Sequence, residues 1–180
     1  AENPTAVDDS GGHSVSKETY EDFLQAADNA DLPHVDGYAG VVFEPVPVIN
    51  DRTNLSEPNV VIAGLDAERE GPFEDIVDKD SGAVLRVADL GPDELYLNED
   101  GADSLDAQAG DTLSVYINGQ PQTFSVKAIV KNSALTGAVN EMGREGMVAT
   151  LESVQEIVGT DRLDFIAVSG TGGIRDLDTS

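Results

Sequence analysis

The chain carries few side chains able to act as nucleophile, base or soft metal ligand: it has no cysteine and only two histidines, His13 and His34. Lack of cysteine removes disulfide frameworks, thiolate zinc sites and cysteine nucleophiles together. His13 lies in a Pro-, Gly-, Asp- and Ser-rich opening stretch, and His34 follows an expected helix end, where an imidazole meets the last carbonyls. Gly12-His13-Ser14 lacks the Gly-x-Ser-x-Gly spacing of a nucleophile elbow, so no Ser-His-Asp triad is indicated. The run NEDGADSLD packs acids around a glycine. With Gly101 at position 6 of a calcium loop, Tyr96 falls at position 1 and Ala107 at position 12, where oxygen ligands are required. That loop is rejected. A weak, salt-dependent cation site from Asp100, Asp103 and Asp106 is the remaining idea, set against the simpler reading of a solvated helix face.

Other chemistry fares no better. Among thirty-five acids some pair always lies close, so a glycosidase-like carboxylate pair carries no signal, and five Phe, four Tyr and no Trp make a poor sugar-stacking platform. Residues 170–173, GTGG, follow a strand but open no apolar helix, which argues against a phosphate cradle. Accordingly no catalytic, cofactor-binding or metal-binding residue is assigned, and no cofactor is expected. Leu135, Val139 and Met142, in a long Gly-rich loop, suit either a protein contact or a cover folded over a neighbouring hairpin.

The elements that would position such residues follow from periodicity. Ser16 opens a helix whose Tyr20, Phe23, Leu24 and Ala27 form one apolar stripe, and Leu32-Pro33 ends it. Val35 to Val48 reads as two short strands, with Pro45 and Pro47 in an edge half because proline cannot donate to a ladder. Asn59 to Leu65 is apolar on both faces, as in a strand covered on both sides. After a charged loop from Asp66 to Gly71, Phe73, Ile76 and Val77 suggest a brief helix behind Pro72. Then come a strand through Leu95 and Leu97, an Asn98-capped helix carrying Ala102, Leu105 and Ala109, and a Gly110 stop. A strand with Leu113, Val115 and Ile117 on one side passes through Asn118-Gly119 into a return strand. The connection looks longer than a two-residue hairpin, and Phe124, Val126, Ala128 and Val130 alternate along the return strand. Met147 to Leu151 is a strand, Glu152 to Val158 a helix stopped by Gly159, and Leu163 to Ser169 a last strand.

Composition bounds the partners. A 180-residue chain buries about 70% of its unfolded surface, enough for one domain or two small lobes. The formal charge is −25, only four of the ten basic residues are Lys, and the acids are spread along the chain. Such a surface disfavours nucleic acid and anionic membranes as partners, and suits a salt-adapted organism, where screening is short-ranged. A merely acidic extracellular surface is the plainer reading. No apolar run approaches the length of a membrane span, and Ala1 opens directly into polar sequence without a signal peptide.

The order of motifs carries a resemblance. A strand, a capped helix, "AGDTLSVYINGQPQTFSVKAIV" and, some twenty residues on, "GMVATLESVQEIVGTDRLDFIAVSG" is similar to the extracytoplasmic core domain of FtsX-like and MacB-like ABC-transporter permeases. It covers roughly Ser14 to Ile174 and is strongest after Leu95. The resemblance implies a domain outside the cell membrane, between a first and a second membrane span absent from this sequence. Its partners would be the cytoplasmic ATPase subunit and a second permease copy, and its task to relay ATP-driven movement without chemistry of its own. The expected fold class is α+β in two lobes. Residues 1–13 would be a flexible tether and 14–176 the core domain, with one α/β lobe from 14–80 plus 147–170. A β-rich insertion would occupy 83–130, and 177–180 would be a tail towards the membrane. The return of the last strand to the first lobe should bring the two ends together. The competing expectation is a secreted or lipid-anchored ligand-binding domain of a salt-adapted organism, with an extracellular hydrolase third.

Overall fold

The computed structural model describes residues 14–30, 34–69, 73–136 and 145–170. His13, Leu32-Pro33, Gly71, Pro72, Val139, Met142 and residues 171–180 lie outside them, as do the expected tether and tail.

Helix α1 (Lys17–Asn29) begins where the Ser16 hydroxyl accepts the Thr19 N–H, and it buries Tyr20 and Ala27 from the expected stripe. Strands β1 (Val35–Asn50) and β2 (Ser56–Leu65) follow, then a small hairpin of β3 (Ile76–Val77) and β4 (Val84–Leu85). Next come β5 (Glu94–Asn98), α2 (Glu99–Leu105), β6 (Thr112–Ile117) and β7 (Gln120–Val130). The chain closes with β8 (Gly146–Thr150), α3 (Leu151–Val158) and β9 (Phe165–Gly170). The class is α+β. One seven-stranded sheet runs β2-β8-β5-β7-β6-β1-β9, and β1 also pairs with β2, so β1, β2, β8, β5, β7 and β6 form a closed ring with β9 appended to β1. Strands from both expected lobes are hydrogen-bonded within this single sheet. Closure removes most of the edges that would otherwise invite strand pairing between molecules.

Alternation divides the apolar residues between two faces. Val48, Val60, Ile62, Leu95, Leu97, Leu113, Val115, Phe124, Val126 and Met147 build the main core with Tyr20, Leu105 and Val154 of the helices. On the other face Val41, Ala63, Leu65, Tyr96, Val130 and Val148 are covered by Ile76, Val87, Leu90 and the partly buried Leu135.

Several local expectations change for physical reasons. Residues 35–50 make one strand, because β1 exchanges neighbours along its length: β9 for Val35–Val41 and β6 for Val48–Asn50. Ile76 and Val77 are strand, held opposite Leu85 and Val84 by a turn in which the Asp78 carboxylate accepts from Ser81 N–H and Oγ. Helix α2 stops at Leu105, well before Gly110. Asp106 takes the left-handed conformation (φ 46°), and the Ala107 N–H closes on the Ala102 carbonyl. In β7 a register shift opposite Leu95/Tyr96 inserts one residue, which turns Ala128 and Val130 to the second core while Ile129 takes their place against the first. The Asn118-Gly119 turn is a two-residue hairpin, with Ile117 opposite Gln120 and both turn residues at positive φ (51° and 76°), as in a type I′ turn.

The described ends lie along β9. Val15 bridges to Leu163 just before that strand, and Val35 faces Gly170 at its end. Entry and exit therefore lie at opposite ends of that strand, about 20 Å apart at 3.3 Å per residue, so the return of the last strand does not bring the two ends together.

Candidate functional site

Where β1 leaves β6, the sheet opens. The N–H and C=O of odd-numbered β1 residues face the β9 edge: Asp164 N–H donates to the Val41 carbonyl (3.0 Å) and Phe43 N–H donates to Asp164 Oδ2 (2.7 Å). Beyond Phe43 no strand is registered on this edge until Val48 meets Val115 of β6. Pro45 and Pro47 occupy the two intervening odd positions, where an N–H would otherwise face the gap unpaired. Proline is the residue an open edge tolerates. A β-bulge between Val46 and Val48, where β2 contributes Pro58 and Asn59, bends the strand away.

The gap forms a groove of about 610 Å³. Buried Val46, Val48 and Ile117 form its base; exposed Pro45, Pro47, Pro58 and the Asn118-Gly119 hairpin tip form its rim, with half-buried Tyr116 alongside. Its charged groups are two carboxylates, Glu44 and Glu57, both half-buried. The Glu44 carboxyl is pushed up from the usual carboxylate range, first by burial and then by the nearby Asp164 charge. The arrangement offers apolar contact, negative charge and carbonyl acceptors. It brings together no pair of a nucleophile and a base.

The residues singled out by sequence lie elsewhere. His34 is exposed at the start of β1, distant along the strand from the groove. Asp100, Asp103 and Asp106 do not converge: Asp103 is 3.8 Å from Lys79 Nζ, Asp106 is 3.9 Å from an Arg52 nitrogen, and Asp100 sits in the first turn of α2. Among the described residues no three His, Cys, Asp or Glu side chains group as metal ligands would. Leu135 packs on the second core, which is the covering alternative for that residue; beside it the buried Thr136 hydroxyl donates to the Ser133 carbonyl at 3.0 Å.

Two buried polar networks were not legible. Asp111, directly after the Gly110 stop, accepts from Arg52 Nε (2.8 Å), Asn50 Nδ2 (3.0 Å) and Gln108 N–H (3.0 Å). Asn50 is fully buried and donates also to the Leu105 carbonyl (3.2 Å), while Thr53 Oγ1 donates to the same carbonyl (2.9 Å). The β1–β2 turn thus caps the end of α2 and ties it to β6. At the other side Tyr20 Oη accepts from Gly40 N–H (2.7 Å) and donates to Asp66 Oδ2 (2.7 Å), fixing α1 to the β1–β2 pair. Burial, then the Asp66 carboxylate, push the Tyr20 hydroxyl far above its ordinary pKa. The one sequence signal for Asp111 is its place directly after the Gly110 stop; nothing in the spacing identifies Arg52 as its partner.

The closed mixed sheet with its appended strand, packed among the described residues by α1, α2 and α3, is a fold shared with solved extracytoplasmic domains of ABC-type transporters. In particular, the chain is similar to the extracellular domain of the noncanonic ABC-type transporter YknZ from Gram-positive bacteria, at a TM-score of 0.60 and 12% identity over 94% of this chain and 75% of that one. It is likewise similar to the periplasmic region of MacB from Actinobacillus actinomycetemcomitans, at 0.59 and 16% over 93% and 71%. These likenesses match the MacB-like core-domain resemblance read from the sequence. No protein-family model and no curated protein matches the chain. No helix among the described residues is long and apolar enough to cross a membrane.

Proposed function

We propose that the chain is the non-catalytic extracytoplasmic domain of an FtsX/MacB-like ABC-transporter permease, relaying movement driven by a cytoplasmic ATPase to substrates or partner proteins outside the membrane. The observation that carries the reading is the fold likeness to two such transporter domains over more than nine-tenths of the chain. In this reading residues 14–176 are the outboard body, 1–13 its tether and 177–180 its tail, with 83–130 inserted in sequence between 14–80 and 147–170 and paired with them in one ring. Flanking membrane spans tie it to the bilayer, a second permease copy stands beside it, and nucleic acid is no partner. Entry beside Leu163 and exit at Gly170 lie at the two ends of β9, so the two anchors of this reading stand about 20 Å apart, a distance that about six extended residues at about 3.3 Å each cover. The acidic surface fits a salt-adapted source.

The test is made in the intact gene product. One apolar span before Ala1 and three after Ser180 are expected, with residues 14–176 open to protease from outside the cell. Deleting 14–176 should leave the partner ATPase turning over while transport stops. A free secreted product without flanking spans would overturn the proposal and favour a secreted or lipid-anchored ligand-binding domain, for which the groove at Pro45–Pro47 is the supporting observation.

A further inference from the structure

We propose that the groove between the parted strands β1 and β6 docks a basic, extended segment of a partner protein, with apolar side chains on Val46 and Ile117 and Lys or Arg side chains on Glu44 and Glu57. The occupant follows from what the groove presents. Its base is apolar and the charges among its described lining residues are negative, and neither Glu44 nor Glu57 takes part in an ion pair among the described residues. A half-buried carboxylate without a counter-charge is held at a cost that an arriving ammonium or guanidinium relieves, and the raised pKa of Glu44 is consistent with that. On the β1 wall Pro45 and Pro47 offer carbonyls but no N–H, so a ligand must bring donors to that strand, while Tyr116 on the β6 wall can both donate and accept. Shape selects a peptide over a compact cation. The unfilled edge lies between the stretch of β1 satisfied by β9 and the stretch satisfied by β6, a gap of about 13 Å at 3.3 Å per residue, the size of a missing piece of strand. Such a segment lies along β1 in extended form and donates to the Pro45 and Pro47 carbonyls without completing a two-way ladder, because the prolines return no N–H.

The inference stands apart from the transporter reading, because it concerns the groove and not the anchoring of the chain. It is tested on the 180-residue chain by amide NMR with a peptide of roughly eight residues alternating valine and lysine, its valine–glutamate counterpart, and the small amphipathic cation decyltrimethylammonium. In about 1 M KCl, where attraction between exposed charges reaches only about 3 Å, the basic peptide should still shift Val46, Ile49, Ile117 and Asn118 saturably. Glu44→Gln with Glu57→Gln should weaken it about tenfold with an unchanged melting temperature, and the glutamate peptide should not bind. The proposal is overturned by shifts scattered over the acidic surface that vanish in salt or by equal binding to the double variant. It also falls if decyltrimethylammonium fills the groove when the basic peptide does not.

Discussion

Asp111 takes three donors with almost no access to water, which makes it the side chain whose loss should be felt most. Asp111→Ala takes one of its acceptors from the buried Asn50 amide, which keeps the Leu105 carbonyl, and the acceptor of the partly buried Gln108 N–H, and should cost about 1–3 kcal/mol in urea unfolding. Arg52 is open to water, so Arg52→Gln should cost less. The same carboxylate sets an acid limit. Arg52 first, then Gln108 N–H and Asn50, hold the Asp111 carboxyl below its ordinary range against the opposing effect of burial. Because the folded pKa lies below the unfolded value of about 3.9, the group stabilises the fold above that pH, and its contribution is lost as pH falls through the folded pKa. The stability gap between wild type and Asp111→Asn should therefore be constant from pH 7 down to about pH 5 and shrink below about pH 4. A gap independent of pH down to the acid transition would show that Asp111 acts by shape alone.

At the scale of elements, β1 is the strand that closes the ring, and its prolines remove the N–H groups through which the open stretch would pair in a full ladder with the edge of another copy. Pro45→Thr with Pro47→Thr restores two outward N–H groups on an edge that no strand covers. The double variant should self-associate with rising concentration in light scattering, where wild type does not. A variant that stays monomeric throughout would mean that the bend at the bulge, not the missing donors, protects the edge. Much of this level was readable: the α1 stripe, the Asn98 and Ser16 caps, the doubly covered β2, the alternation of β5 and β6 and the Gly159 stop all follow from local chemistry. What escaped was decided by tertiary pairing. The extra residue in β7 reverses the facing of Ala128 and Val130, and no pattern within 120–130 reveals it, since Ile129 is as apolar as they are. Ile76-Val77 has too few residues to show a period, and only its partner Val84-Leu85 makes it strand. The groove was invisible for the same reason: Pro45 and Pro47 announced an edge, but the gap exists only because β6 and β9 meet β1 at opposite ends of it.

For the whole molecule two properties set the mechanics, its charge and its closure. A formal charge of −25 on one compact body opposes folding by self-repulsion, and raising KCl from about 0.1 to about 1 M shortens the screening length from about 10 to about 3 Å. The melting temperature should rise across that range by on the order of 5 °C or more; a flat response would show that the acids are spaced widely enough to ignore each other. Closure bears on the proposed relay, since a domain passes on movement only if its parts do not yield separately. The β6–β7 hairpin and the β2–β8 pair lie in different stretches of the chain, yet each is hydrogen-bonded into the same ring through β1 and β5. Opening either pair therefore breaks the ring and exposes the shared core of Val48, Leu97, Phe124 and Met147. Native-state amide exchange should accordingly give the interior amides of β6, β7 and β2 one common opening free energy, equal to that of global unfolding measured with denaturant. If the β6–β7 amides exchanged through a cheaper opening of their own while β2 stayed protected, the two stretches would be separable lobes, and a rigid transmission of movement through the ring would no longer follow from its geometry.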